Sequence, residues 1–374
     1  MRLNIFPCIL QTSSEQQNNI SSRLGLALSE ETAFLIVVEN DGYSVEEYPC
    51  TDFGVKNFEG CYYFTLQDEL YFCVRKRIHH FNREELKWHE LMDSMEVVRD
   101  GPACVSLQEG TLITGGEESG DDNASYLSDR CVLVKKDEHN LVISNIGKLP
   151  AKLRHHTLTK VSDNVVVLCG GINIDGYETR EVYLGSLKNS STDTIDPLCD
   201  KCMSDYFITW TKLPRMREYR SGHFSMFVNN RLCVFGGGLK RDEKQHVIEV
   251  NAMQCGLELG YSSGMIIEIL PFKIECASQY RVGKWSRRYM RYDISFADLV
   301  LSPDEKYAII AGGETYGFGC IKDKHFHLTM NTSNLHMRSL DDKDKSLHTN
   351  NVLKMILSCN CLTPMYDDID NQSS

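Results

Sequence analysis

The chain lacks any apolar run that approaches the ~18 residues of a membrane-spanning helix. The segment at residues 2–10 holds a short apolar run, but Asn4 and Pro7 interrupt it and no small-residue cleavage pattern follows. Basic residues are also in deficit, because 40 Lys and Arg stand against 52 Asp and Glu, for a net charge of −12. Such a chain does not neutralise phosphates over a wide face. We therefore expect no nucleic-acid partner and no membrane partner, and a cytoplasmic location.

A phosphate-binding glycine loop is missing as well. The glycines over 236–238 lack the Lys-Ser/Thr tail that such loops carry. The 15 cysteines are odd in number and irregularly spaced, which favours reduced, largely buried thiols. Cys199 and Cys202 have the spacing of half a zinc site, but the pair Cys359 and Cys361 has only one intervening residue. We therefore expect no metal and no cofactor.

What is present is enough apolar material for a large folded unit. Of the 374 residues, 42% are hydrophobic and 25% are charged. This composition excludes a globally disordered chain and fits one large all-β domain or two ordinary domains.

An internal repeat appears when the chain is aligned on pairs of adjacent glycines. The pairs are Gly115-Gly116, Gly170-Gly171, Gly236-Gly237 and Gly312-Gly313. An arginine stands 16 positions ahead of each of the first three pairs, and these arginines are Arg99, Arg154 and Arg220. The fourth pair lacks an arginine at that offset. Three glycine pairs at a constant distance from arginine indicate a repeated structural unit.

Between each arginine and its glycines lie two apolar segments that a polar turn separates. The turns are at residues 108–110, 162–164 and 229–231. This pattern predicts a β-hairpin in each unit, and runs such as residues 165–168 predict inner strands that are buried on both faces. Residues 62–74 and 299–310 resemble eroded copies, and residues 33–48 resemble the strands of a first unit.

Two of the units contain long polar insertions, at residues 188–205 and 251–276. Good third strands precede both of them, at residues 182–184 and 247–250. We therefore expect both insertions to connect third and fourth strands, on the face opposite the arginines.

The most complete unit runs from Trp210 through a Leu-Pro-x-Met turn at residues 213–216 and Arg220 to Gly236-Gly237. This order resembles the Kelch repeat, which forms one four-stranded blade of a β-propeller. The resemblance implies an all-β fold, a Kelch-type β-propeller of about six four-stranded blades, with five or seven left open. The propeller would span residues 21–335. Residues 336–374 would form a C-terminal tail, in which residues 352–362 are apolar enough for a closing strand.

The resemblance also nominates binding residues. In Kelch adaptors that bind acidic peptides, the arginine just before the first strand points into the mouth of the channel. Carried over, this implies that Arg99, Arg154 and Arg220 bind a partner through their guanidinium groups. The alternative is structural: each arginine pairs with a nearby acid or carbonyl and organises a blade junction. His155 and His223, which follow two of the arginines, are expected to be packing residues.

The function that follows is a non-catalytic protein–protein interaction module, a Kelch adaptor or scaffold with no catalytic residues. It would bind a protein or an acidic peptide at the channel mouth, and its oligomeric state is left open. The alternative is a propeller enzyme of the Kelch-like oxidase or the sialic-acid-processing type. That alternative requires titratable or metal-ligating side chains that converge at the same mouth.

Overall fold

The computed structural model of the chain describes residues 8–9, 22–28, 32–58, 60–91, 98–119, 125–137, 140–190, 205–237, 266–276, 279–289, 294–315, 327–335 and 337–339. This part of the chain is nearly all β, in small antiparallel sheets, with a short 3₁₀ helix over Cys50–Phe53. Within these ranges no helix is long and apolar enough to cross a membrane.

The strands group into successive sheets in chain order. A short strand, β1 (Cys8–Ile9), comes first. Sheet 1 contains β2 (Ser22–Leu28), β3 (Thr32–Glu39) and β4 (Tyr43–Pro49). Sheet 2 contains β5 (Cys61–Leu66), β6 (Glu69–Val74), β7 (Arg77–Asn82) and β8 (Lys87–Glu90).

Sheet 3 is accompanied by a small sheet at one end, here called the rim sheet. The rim sheet contains β9 (Val98–Asp100), β12 (Glu117–Ser119) and β13 (Ser125–Leu127). Sheet 3 itself contains β10 (Ala103–Leu107), β11 (Gly110–Thr114), β14 (Arg130–Asp137) and β15 (Asn140–Lys148).

The remaining strands form three further sheets. Sheet 4 contains β16 (Thr157–Ser162), β17 (Val165–Cys169), β18 (Val182–Asn189) and β19 (Tyr206–Lys212). Sheet 5 contains β20 (Phe224–Val228), β21 (Arg231–Phe235), β22 (Ile266–Cys276), β23 (Gln279–Val282) and β24 (Ser286–Tyr289). Sheet 6 contains β25 (Ile294–Leu301), β26 (Tyr307–Thr315), β27 (His327–Asn331) and β28 (Met337–Ser339).

Neighbouring sheets pack against each other in succession. The strand pairs β5 and β10, β10 and β16, β16 and β20, β20 and β25, and β25 and β2 are in contact. Sheets 1 and 2 meet through the rings of Tyr48 and Trp88, whose centroids are 6.2 Å apart in an edge-to-face arrangement. Because the last sheet thus contacts the first, this arrangement is consistent with a propeller.

The strand β1 lies at the centre of this arrangement. It pairs in parallel with β10, with Cys8 opposite Cys104 and Ile9 opposite Val105. It also contacts β5, β16 and β25, which belong to three other sheets. The backbone of Cys8–Ile9 therefore lies among the inner strands.

The predicted hairpins are confirmed. Gln67 and Asp68 have φ values of 53° and 63°, and Asn229 and Asn230 have values of 52° and 57°. Two consecutive left-handed residues form the tight turn that matches strand twist in a two-residue hairpin. They join β5 to β6 and β20 to β21.

One of the two expected insertion positions is wrong. Residues 190–205 do lie between β18 and β19, the third and fourth strands of sheet 4. In sheet 5, however, the strand paired with β21 is β22, which begins at Ile266. The expected third strand at 247–250 lies outside the described residues. Residues 266–276, which were expected to belong to an insertion, are therefore a strand of sheet 5 next to β21.

The fourth glycine pair also differs from the first three. The pairs at 115–116, 170–171 and 236–237 follow the ends of β11, β17 and β21, and all six glycines have positive φ. Gly312 instead lies within β26, where it pairs with Ala297. The repeat is therefore regular in sheets 3, 4 and 5 and altered in sheet 6.

Candidate functional site

The segments that enter the first strands of sheets 3, 4 and 5 are joined by backbone hydrogen bonds. The His155 amide donates to the Gly101 carbonyl at 2.9 Å, and the Gly222 amide donates to the His155 carbonyl at 3.1 Å. All three residues are left-handed, with φ values of 66°, 53° and 57° for Gly101, His155 and Gly222. This line of residues defines a rim on the arginine face of the molecule.

Arg99 is buried and bound within sheet 3 and the rim sheet. Its Nη1 donates to the Gly115 carbonyl at 3.0 Å, and its Nη2 lies 3.0 Å from Oε1 of Glu118. The Glu118 carboxylate also accepts a hydrogen bond from the Ser128 hydroxyl at 2.7 Å. Both members of the pair are almost fully buried. Arg99 therefore fits the structural alternative.

Arg220 is bound in a similar way in sheet 5. Its Nε donates to Glu268 at 3.1 Å, its Nη2 donates to the Ile266 carbonyl at 2.8 Å, and its Nη1 donates to the Gly236 carbonyl. Arg220 and Glu268 are 0% exposed. Burial lowers the pKa of Arg220, and Glu268 opposes that shift. A guanidinium group held in this way joins the strands of one sheet.

Glu268 has further partners. Its carboxylate accepts hydrogen bonds from the backbone amides of Arg217 and Glu218, at 2.6 and 3.2 Å. Glu268 was not among the predicted site residues, because it lies inside the segment that was expected to be a polar insertion. A single acid within the apolar residues 266–270 was the signal that could have found it.

Arg154 differs from the other two arginines. Its backbone pairs with Ile172, and Ile172 pairs in turn with Glu178. Its Nη1 forms an ion pair with Glu117 of the rim sheet, and the two side chains keep 21% and 27% of their surface exposed. This ion pair between sheets 3 and 4 is therefore accessible to solvent.

A second acid stands beside this pair. Asp100 on β9 is the direct antiparallel partner of Glu117 on β12. Side chains directly opposite each other project from the same face of an antiparallel pair, with their Cβ atoms about 5 Å apart. Asp100, Glu117 and Arg154 therefore form a cluster of two carboxylates and one guanidinium group, here called the rim cluster.

Four large side chains on the segments around the rim cluster are exposed. Tyr126 and Ile174 are 53% and 68% exposed, and Tyr177 and Tyr219 are 46% and 38% exposed. Tyr126 stands opposite Glu118 in the rim sheet, and Ile174 and Tyr177 belong to the hairpin that Arg154 joins. The Arg180 guanidinium lies over the Tyr219 ring, 4.9 Å from its centroid.

The histidine that matches His223 is His156, not His155. His156 Nε2 is 2.8 Å from the Thr114 hydroxyl, and His223 Nε2 is 3.0 Å from the Thr157 hydroxyl. Both rings are buried, and burial lowers the pKa of His156 to about 3 and that of His223 well below its ordinary value. The expected packing role therefore fits His223, whereas His155 lies on the rim.

The cysteines over 50–233 in the described part of the chain are free thiols. They are buried, and burial raises the pKa of Cys73 and Cys131 to about 12. The pairs at 199–202 and 359–361 lie outside the described residues. Within the described ranges, no three His, Cys, Asp or Glu side chains form a group that could hold a metal ion.

No family model and no curated protein sequence matches the chain. Solved structures do match. The protein YjhT has a TM-score of 0.56 at 13% identity, over 86% of this chain and 97% of that one. A fungal alcohol oxidase of the AA5 family, in complex with copper, has a TM-score of 0.48 at 12% identity, over 86% of this chain and 67% of that one. The likeness to YjhT establishes a propeller-like all-β fold.

The comparison with YjhT corrects the expected function. YjhT is a sialic-acid-processing propeller, and the likeness to it does not support a non-catalytic adaptor. The expectation that the chain is an interaction module and not an enzyme is therefore wrong on this comparison. Its physical basis also weakens, because two of the three nominated arginines are buried in ion pairs. The binding role of Arg99, Arg154 and Arg220 stays a prediction, as do the protein or peptide partner and the cytoplasmic location.

Proposed function

We propose that this chain is a propeller enzyme that acts on a carboxylated sugar of the sialic acid kind at the rim cluster. The observation that carries the proposal is the solvent-accessible ion pair of Arg154 and Glu117, with Asp100 opposite Glu117. A propeller enzyme of this class requires titratable side chains that converge at the channel mouth, and the rim cluster contains two acids and an arginine.

Each member of the cluster has a chemical role. The Arg154 guanidinium presents several donors in a plane, and this geometry suits a sugar carboxylate. Glu117 already pairs with one of these donors, so a bound sugar carboxylate would share the Arg154 guanidinium with Glu117. Glu117 and Asp100 then act on the substrate as proton acceptor and donor, the role of positioned side chains in general acid–base catalysis. This donor set favours the sialic-acid alternative over the oxidase alternative.

We also propose the finer architecture. Sheets 1 to 6 are six blades of the Kelch type, and the glycine pairs and arginines of sheets 3 to 5 are its clearest copies. The sequence predicts a propeller over residues 21–335 and a tail over residues 336–374. Because β28 pairs with β27, we place the end of the propeller at Ser339 instead. Sheet 1 contains three described strands. Residues 352–362, which the sequence analysis predicts as a closing strand, lie outside the described residues.

The test is turnover by the purified full chain. Proton NMR would follow free sialic acid and α-linked sialyl-lactose over time, and we expect the wild-type protein to accelerate a change in their signals. Arg154→Ala and Glu117→Gln should each lower the rate by about 100-fold or more, the usual contribution of a positioned acid–base group. Arg77→Ala, which removes an exposed ion pair in sheet 2, is the matched control and should not alter the rate.

Two outcomes would overturn the proposal. One is a wild-type protein that leaves both sugars unchanged. The other is an Arg154→Ala variant that is folded, as judged by an unaltered melting temperature, and turns over either sugar at the wild-type rate.

A further inference from the structure

A second arginine, Arg180, follows the hairpin that pairs with Arg154 of the rim cluster. Arg154 pairs with Ile172, which pairs with Glu178, and the following Thr179 pairs with Arg220. Adjacent paired strands lie about 5 Å apart, so two such steps separate the backbones of Arg154 and Glu178 by about 10 Å. Arg180 follows Thr179 in the chain. Paired backbone segments thus lead from Arg154 to the segment that carries Arg180.

Arg180 is held in place by an aromatic ring. Its guanidinium lies 4.9 Å from the Tyr219 centroid, a cation–π contact, and the Arg180 carbonyl accepts the Met216 amide at 2.9 Å. Within the described ranges no carboxylate lies within ion-pair distance of Arg180, in contrast to Arg99, Arg154 and Arg220. A stacked guanidinium still has its in-plane donors available for an anion.

The surface near these two arginines is aromatic. Tyr177 is 46% exposed on the hairpin that Arg154 and Arg180 flank, and Tyr219 lies on the next segment. An exposed tyrosine ring offers an apolar face of the kind on which the C–H face of a sugar packs. Acidic, aromatic and cationic residues thus follow one another along Asp100, Glu117, Arg154, Tyr177 and Arg180, here together called the strip.

We propose that the substrate of this site is an acidic oligosaccharide, not a single sugar. This rests on the proposed function. The first carboxylate binds Arg154, the sugar that follows packs on Tyr177, and a second anionic group binds Arg180. Tyr219 is a positioning residue, because it acts through Arg180. The continuity of the strip with the rim cluster favours a longer sugar over a separate protein partner.

The test compares sugars that differ in length and charge. Isothermal titration calorimetry would measure the full chain with sialic acid, with its α2,8-linked dimer and with the neutral disaccharide chitobiose. We expect the dimer to bind at least tenfold more tightly than the monomer, and chitobiose to bind least. Arg180→Ala should reduce dimer affinity to that of the monomer and leave the monomer unaffected.

The positioning role has its own control. Tyr219→Ala should weaken dimer binding, whereas Tyr219→Phe keeps the ring face and should restore it. Arg77→Ala, far from the strip, should bind both sugars as the wild type does. A structural role for Tyr219 alone would reduce monomer and dimer affinity together, and this would contradict the assignment.

The outcomes separate this inference from the proposed function. Monomer binding that depends on Arg154, with no preference for the dimer, overturns the extended site alone. A protein that binds neither sugar overturns both proposals. Displacement of the dimer by an acidic peptide of the same charge, at the same concentration, would show charge without sugar recognition and would overturn the glycan assignment.

Discussion

Arg220 and Arg154 occupy the same position in neighbouring repeats, yet their surroundings differ. Arg220 is fully buried with Glu268 and two backbone carbonyls. Arg154 pairs across a sheet boundary with Glu117, and both side chains remain partly exposed. One repeated residue type thus stabilises the interior of one sheet and is available for surface chemistry in the next.

The largest effect is expected at the buried pair. Glu268→Ala leaves the buried Arg220 guanidinium and two backbone amides without their acceptor. Removing one partner of a buried ion pair costs about 3–5 kcal/mol. Urea unfolding monitored by tryptophan fluorescence would measure the loss. A cost below about 1 kcal/mol would mean that the pair does not support sheet 5.

A smaller difference is expected between two glycines from the same two regions. Gly237 has a φ of 76°, and a Cβ there would lie 2.5 Å from the Ser221 carbonyl oxygen. Gly176, at the tip of the rim hairpin, has a φ of 80° but no heavy atom within 4 Å of such a Cβ. We expect Gly237→Ala to cost about 2–3 kcal/mol, and Gly176→Ala only its backbone strain of about 1 kcal/mol. Equal costs in thermal unfolding would contradict this.

The buried histidines predict how stability depends on pH. The pKa of His156 is about 3 in the folded protein, and an unfolded histidine titrates near ~6.5. Because the unfolded chain binds the proton more readily, stability is full above about 6.5 and falls as the pH decreases toward 3. Each such histidine contributes about 1.4 kcal/mol per pH unit in that window. His156→Gln should reduce the slope of unfolding free energy against pH.

The smallest stability effect is expected at the rim. Glu117→Gln removes a partly exposed ion pair, and such pairs contribute about 1 kcal/mol or less. The melting temperature should change little, while turnover falls as described above. A large loss of stability in this variant would mean that Arg154 and Glu117 are as structural as Arg220 and Glu268.

Much of the fold could be predicted from the repeat. The glycine pairs, the polar turns and runs such as residues 165–168 gave the hairpins of sheets 2 to 6 correctly. The third strand of sheet 5 could not be chosen, because residues 247–250 and 266–270 are both apolar. The structure shows that the strand paired with β21 is β22, which begins at Ile266.

The site was less predictable than the fold. Sequence spacing marked Arg99, Arg154 and Arg220 equally, since all three stand 16 residues ahead of a glycine pair. The three arginines differ in their ion-pair partners. These partners are distant along the chain, and those of Arg99 and Arg154 are neighbouring residues, Glu118 and Glu117. Glu268 is 48 residues from Arg220, whereas Arg154 pairs with Glu117 of another sheet and not with an acid of its own. Tertiary contacts of this kind leave no local pattern in the sequence.

The position of β1 has a consequence for the order in which the protein folds. Cys8–Ile9 is synthesised before every strand it contacts, and those strands extend along the chain to Leu301. Its contacts with β25 can form only after nearly three hundred further residues have been made. Contacts between such distant residues make folding slow. This strand therefore completes its packing only when β25 is in place.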